Sequence, residues 1–245
     1  MNNEIDKAAD LIRNARHLTV FTGAGISVES GIPPFRGESG IWNKYDPSIL
    51  DLQRYLYNPE EVWPVIKQLF FDFFTNAKPN ETHQVIAKWE QRNLVKAIIT
   101  QNIDNLHQLA GSENVIEFHG NSNYFICTDN LSHKSKLSKI DFNAPYPKCP
   151  QCGSLAKPSF IFFGEPIPID AFRDSEFHAS KTDVMIVIGS TGEVVPAANV
   201  PWLAKRNGAT IIEINPESSA FTHNITDIHL KEKASIVLSN IDAKL

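Results

Sequence analysis

Apolar and polar positions along the chain follow two rhythms. Short β-branched runs recur as "HLTVFTG" (17–23), "VKAIITQN" (95–102), "NVIEFHG" (114–120), "DVMIVIGS" (183–190), "TIIEIN" (210–215) and "DIHLKEK" (227–233). Several are continuously apolar, as expected for strands of a parallel sheet covered on both faces. Between some of them lie helical patterns, including "NETHQVIAKWEQRN" (80–93) and "PAANVPWLAKRNG" (196–208), the second closing on Lys205, Arg206 and Gly208. At the N-terminus Ile5, Ala8, Ala9, Ile12 and Ala15 share one helix face, which predicts a docked helix and not a signal peptide. This alternation predicts a doubly wound, Rossmann-like α/β sheet.

Two regions break the rhythm. "NPEEVWPVIKQLFFDFFTN" (58–76) predicts an aromatic helix with Asn58 as N-cap and Pro59 at the first helical position. Residues 122–158 show no periodicity and hold all three cysteines. Both read as inserts building a second, smaller lobe. The expected division is one domain over 1–245, with a large lobe at about 1–35, 80–120 and 159–245 and a small lobe at about 36–79 and 121–158.

Composition narrows the class. The chain has 245 residues, 42% hydrophobic and 21% charged, enough for a sizeable core. A net charge of -5 argues against a nucleic-acid partner, whose phosphates demand Lys and Arg. The basic run "HKSKLSK" (133–139) reads as a solvated loop. No apolar run approaches the roughly 20 residues of a membrane span. Three cysteines are too few for a disulfide framework and fit a reducing compartment, so a cytoplasmic protein without membrane contact is expected.

The chemistry gathers at predicted strand ends. "FTGAGISVESGIPPFRG" (21–37) places Gly23, Ala24 and Gly25 after a strand, where backbone N–H groups can meet phosphates. The dinucleotide fingerprint G-x-G-x-x-G is not met, since Val28 stands at its third glycine, and an ordinary tight turn remains open. "TQNIDNLH" (100–107) brings Gln101, Asn102 and Asp104 to the sheet rim, a donor and acceptor set suited to a neutral carboxamide. The alternative for Asp104 is helix capping. "VIEFHG" leaves His119 at a strand end, placed to act as a general base. Of the other histidines, His17, His83, His133, His178, His223 and His229 sit in polar, surface-like contexts, and His107 is expected on a helix, packed locally.

Taken together, "GAGISVESGIPPFRG", "TQNIDNLHQLAG", "FHGN", "CPQCG", "FFGE" and "IN" occur in the order found in the sirtuin family and closely resemble it over almost the whole chain. The resemblance implies NAD-dependent removal of acyl groups from protein lysines, giving nicotinamide, free lysine and O-acyl-ADP-ribose. It implies that the 23–42 loop wraps NAD, with Gly23, Ala24, Gly25, Ser27, Phe35, Arg36 and Trp42 contributing. Gln101, Asn102, Ile103 and Asp104 would hold the nicotinamide, and Gly189, Ser190, Thr191, Asn215 and Glu217 the remainder of the dinucleotide. His119 would be the base, and Asn102, on the nicotinamide carboxamide, would be the second catalytic residue. Phe163, Gly164, Glu165, Val194 and Val195 would flank an acylated-lysine protein substrate added as an extended strand. The same pocket would also suit a mono-ADP-ribosyltransferase or an NAD hydrolase, the competing reading.

Three departures from the family pattern stand out. Pro34 replaces an acidic residue before Phe35. "GSTGEVVP" replaces Gly-Thr-Ser and a following aromatic. The structural zinc set of the family, C-x2-C twice, finds Cys127, Cys149 and Cys152, but Asn130 in the fourth place. Asp129 and His133 are the candidates to replace it, His133 favoured, the alternative being free thiols in a lobe held by packing. Members of the family preferring acidic acyl groups carry Tyr and Arg where Ile66 and Leu69 stand here. Acetyl or longer apolar acyl groups are therefore expected, with Phe70, Phe73 and Phe74 as candidate channel walls.

Overall fold

The computed structural model describes residues 2–37, 40–72 and 74–245. All six β-branched runs form strands: β1 (Leu18–Thr22), β2 (Val95–Thr100), β3 (Val115–Glu117), and, after three strands of the insert, β7 (Val184–Ile188), β8 (Thr210–Ile214) and β9 (Ile228–Leu230). They pair in parallel in the order β3-β2-β1-β7-β8-β9. Every residue of β1 and β7 is buried, which is why these runs show no polar alternation.

Helices cover both faces. On one side α1 (Asn2–Asn14), α4 (Glu81–Gln91) and α8 (Ala234–Asp242) supply Ile5, Ile12, Val85 and Val237 to a core with Val20, Ile98 and Ile186. On the other, α6 (Ile169–Lys181) and α7 (Asn199–Arg206) contribute Ala179, Val200 and Ala204 beneath Phe21, Ile99 and Val187. α4 begins on Asn80, whose side chain accepts from the amides of Thr82 and His83, a regular N-cap. The short α5 (Leu106–Leu109) follows β2.

The aromatic insert is helical but not uniform. It comprises α2 (Leu52–Tyr57), α3 (Pro59–Ile66), a π-helical turn (Lys67–Asp72) and a 3-10 turn (Phe74–Asn76). Asn58 occupies the N-cap position of α3 without a capping bond from its side chain. The aperiodic insert contains a three-stranded antiparallel sheet: β4 (Tyr124–Cys127), β5 (Lys134–Lys136) and β6 (Ala156–Pro158), in the order β5-β4-β6. The two inserts share a separate core of Tyr55, Trp63, Phe70, Phe71, Phe125 and Phe160. Among the described residues, no helix is long and apolar enough to cross a membrane.

Candidate active site

Strand order reverses between β1 and β7, and in open parallel sheets ligands bind outside the C-terminal strand ends at that point. A cleft of about 610 Å³ opens there. Its floor is laid by Gly23, Ala24 and Gly25 after β1, Gln101, Asn102 and Ile103 after β2, and His119 after β3. Gly189, Ser190 and Thr191 follow β7, and Asn215 and Glu217 follow β8. The glycines allow backbones to touch. Gly25 N–H donates to Gly189 O at 2.9 Å, and a Cβ on Gly25 would lie 2.5 Å from Gly189 Cα.

The polar floor is cross-linked. Gln101 Nε2 donates to Ser190 Oγ at 3.0 Å, and Asn215 Nδ2 to Ser190 O at 3.3 Å. Asn102 Nδ2 donates to Gly23 O (3.2 Å) and Ser27 Oγ (3.1 Å), and Ser27 Oγ donates to Asp104 Oδ2 at 2.7 Å. Asp104 Oδ1 also accepts from Leu106 N at 3.0 Å, so it holds the first amide of α5, whose N-cap position is Asn105, as well as steadying Asn102. Burial pushes the Asp104 carboxyl above its ordinary range, against these hydrogen bonds. Ser27 and Asp104 thus stand behind the cleft wall and not on it.

His119 Nδ1 lies 3.2 Å from Gln101 O, which assigns its proton to Nδ1 and leaves Nε2 as the acceptor. Burial lowers the imidazole below its ordinary value, partly offset by that carbonyl, so the ring is neutral at neutral pH.

The remaining walls come from the small lobe and two loops. Phe35 stacks on Trp42 with ring centroids 5.3 Å apart, and Arg36 pairs with Glu193 at 2.9 Å. Phe163, Gly164 and Glu165 line the cleft together with Val194 and Val195. Phe163 is held on both sides, its N–H donating to Leu50 O (2.7 Å) and its carbonyl accepting from Leu52 N (3.0 Å). Phe70 lines the cleft, whereas Ile66 and Leu69, placed at the acyl end by sequence, are packed into the small-lobe core behind it. Phe74 is half-buried against that core, and Phe73 lies outside the described residues, as do Glu38 and Ser39 of the 23–42 loop. Sequence reasoning missed Leu50 and Lys233 as lining residues, and of these only Lys233, just past a strand, carried a signal; Phe160 and Phe162 lie in the stretch "SFIFFGE" that holds the "FFGE" motif.

His83 is not surface-like. It is fully buried, its ring 4.9 Å from that of His107, because α4 turns its polar-flanked face toward α5. Burial lowers His83 to about 4 and His107 well below its ordinary value.

The cysteines converge with His133: the four ligand atoms all lie within 4.8 Å of one another. Cys127 N–H donates to His133 O across the β4–β5 turn, which sets the imidazole beside the thiols. Cys127 and Cys152 sulfurs are 3.5 Å apart, and Cys149 Sγ is 3.7 Å from His133 Nδ1. Zinc bonds of about 2.3 Å to sulfur and about 2.1 Å to nitrogen, in a tetrahedron, call for such separations. Hydrogen bonds from the Ser154 amide and hydroxyl pull Cys152 down to about 6, favouring the thiolate that a metal needs. Asn130 is instead 3.1 Å from His133 Nε2, on the far side of the ring. The donor set fits zinc.

The Sir2 family signature matches residues 23–196, the span from the glycine turn to the far wall of the cleft. The chain belongs to the Sir2 family. It is 38% identical to an NAD-dependent protein deacylase of Thermococcus sibiricus, over 98% of this chain and 96% of that protein. It is also 38% identical to NAD-dependent protein deacetylase 1 of Pyrobaculum aerophilum, covering 98% and 94%. A solved Sir2 structure holding a deacetylated p53 peptide and 3'-O-acetyl ADP ribose superposes with a TM-score of 0.93 at 35% identity, covering 98% of each chain. The sirtuin resemblance and the doubly wound fold are therefore borne out.

Proposed function

We propose that this Sir2 protein is an NAD-dependent protein lysine deacylase. The observation carrying the reading is the neutral His119 at the β3 end, anchored through Nδ1 to Gln101 O, in a cleft bounded by the glycine turn and the Phe163–Gly164 edge. Bound NAD would supply the electrophilic ribose carbon that accepts the acyl oxygen as nicotinamide leaves. Gly23 to Gly25, Ser190, Asn215 and Glu217 would hold the dinucleotide, with Arg36 near its phosphates. Asn102, braced by Ser27 and Asp104, would orient the reacting end. His119 Nε2 would take a proton from a hydroxyl brought into hydrogen-bond reach. Phe35 stacked on Trp42 would keep water from that end. Zinc held by Cys127, His133, Cys149 and Cys152 would brace the small lobe and take no part in the chemistry.

The substrate, on this reading, is an acylated lysine in an extended segment lying between Phe163–Gly164 and Val194–Val195, with the division into large and small lobes given above forming the cleft between them. Acetyl and longer apolar acyl groups are favoured: Phe70, Phe160 and Phe162 border the cleft, and the Lys157 ammonium beside Phe162 is already paired with Glu165. Three free thiols gathered at a metal-type site support a reducing, cytoplasmic setting.

The test is mass spectrometry of NAD products with acetylated, succinylated and long-acyl peptides. Nicotinamide release should require an acyl peptide, and succinyl peptide should be the poorest substrate. Equal release without peptide would favour the hydrolase reading, and ADP-ribose fixed on protein the transferase.

A further inference from the structure

The buried charges of the small lobe include one pair that the chemistry above does not use. Lys157, on β6, is buried at 8% exposure. Its ammonium has three N–H groups and three partners: Pro158 O at 2.8 Å, Phe160 O at 3.0 Å and Glu165 Oε2 at 3.1 Å. It also lies 4.9 Å from the centre of the Phe162 ring. Glu165 borders the cleft, but its carboxylate is turned inward, where Oε2 also accepts from Phe162 N at 2.8 Å. Glu165 N in turn donates to Phe162 O at 3.0 Å. The loop from 158 to 165 thus closes around one ammonium, like a ring around a pin.

That loop presents the Phe163–Gly164 edge. Gly164 has φ +92 and nothing within 4 Å of where a Cβ would stand, so the edge is open on its outer side. Phe163 is tied to Leu50 and Leu52 by a single bridge, and the shape of the backbone on either side of it must come from elsewhere. Hydrogen bonds to an ionised group are the strong ones, and here five polar groups share one salt bridge. Lys157 itself is too deep to touch a peptide in the groove.

We propose that Lys157 is a positioning residue for substrate: through Glu165 and the Pro158 and Phe160 carbonyls it holds the Phe163–Gly164 edge in the extended shape that an acylated peptide pairs with. This rests on the reading of that edge as the peptide site. It recasts Glu165, expected from sequence to flank the substrate, as the second half of an internal brace.

The test compares the intact enzyme with Lys157→Met, Lys157→Arg and Glu165→Gln, measuring KM for an acetylated peptide, KM for NAD, and kcat. Losing one partner of a buried pair should raise the peptide KM about tenfold or more in Lys157→Met and Glu165→Gln. The NAD KM should stay within about twofold, since the brace makes no contact with the glycine turn. Lys157→Arg, which keeps the charge, should return the peptide KM to within about threefold of the parent. A peptide KM unchanged in Lys157→Met, or a loss of kcat alone, overturns the proposal. If Lys157→Met fails to fold, Glu165→Gln, similar in shape, decides by the same criterion. If the parent enzyme turns over no acylated peptide, the functional reading fails by itself. Hydrogen exchange at the Phe163 and Leu52 amides then judges the brace: faster exchange in Glu165→Gln supports it and unchanged exchange overturns it.

Discussion

Replacing Gly25 by alanine would put a Cβ 2.5 Å from Gly189 Cα, 2.9 Å from Gly189 O and 3.1 Å from Gly189 C. All three are backbone atoms at a strand end, so no side chain can swing aside. Carbon atoms in contact sit about 3.5–4.0 Å apart. The β1 and β7 ends must therefore separate by about 1 Å, which stretches the 2.9 Å bond from Gly25 N to Gly189 O beyond hydrogen-bonding range. Overpacking costs about 1–3 kcal/mol and the lost bond about 1 kcal/mol. Alanine stiffens the unfolded chain and gives back about 0.4–1 kcal/mol. The net is about 1–3.5 kcal/mol, read by urea unfolding of Gly25→Ala against the parent. Gly208→Ala is the control: its φ is +93 with nothing within 4 Å, so it meets no close approach and carries the left-handed strain of about 1–2 kcal/mol less the same unfolded-chain gain. The displaced floor should also raise the KM for NAD in Gly25→Ala and not in Gly208→Ala. Equal stability losses in the two variants, or an unaltered NAD KM in Gly25→Ala, would refute the close-approach argument.

Three further outcomes are expected. His119→Ala should lower kcat by about 10²–10⁴, and because burial depresses the parent imidazole, the acid limb of kcat/KM should fall below pH 6.5, as a pH–rate profile will show. His83 titrates at about 4 when folded against 6.5 when unfolded, so its share of stability is complete above pH 6.5 and drains away as pH falls toward 4. That difference corresponds to about 3 kcal/mol, with His107 acting in the same direction, and denaturant titrations at pH 7 and pH 5 should reveal a decline that His83→Asn lessens. Purified protein should contain about one zinc per chain, and removal by a strong chelator should lower thermal stability, with His133→Ala losing metal in elemental analysis while Asn130→Ala keeps it.

The sheet was legible because its strands are buried on both faces: an uninterrupted run such as Val184–Ile188 admits few other readings. Strand-end logic then located His119, Asn102 and the glycine turn. The small sheet was hidden, since β5 and β6 are three residues each and their pairing is dictated by the turns that bring Cys127, Cys149 and His133 together. No periodicity survives at that length. Ile66 and Leu69 are packed in the aromatic core shared by the two inserts, a burial that their spacing alone did not reveal. His83 looked exposed because its neighbours are polar, though its own side chain faces α5. Ser27 and Asp104 were found as residues but not as a pair, because their contact spans 77 positions of sequence.

Phe163 and Ile161 are two residues apart, yet they are tied to different bodies. Phe163 exchanges backbone bonds with Leu50 and Leu52 of the aromatic insert, while Ile161 N–H donates to the carbonyl of His119 on the large sheet at 2.9 Å. This three-residue seam stitches the aromatic insert to the end of the large sheet beside the His119 imidazole. Slackening of the inserts that carry the cysteine cluster would therefore pull on the imidazole's own peptide group, and turnover would fail at temperatures where the large sheet is still intact.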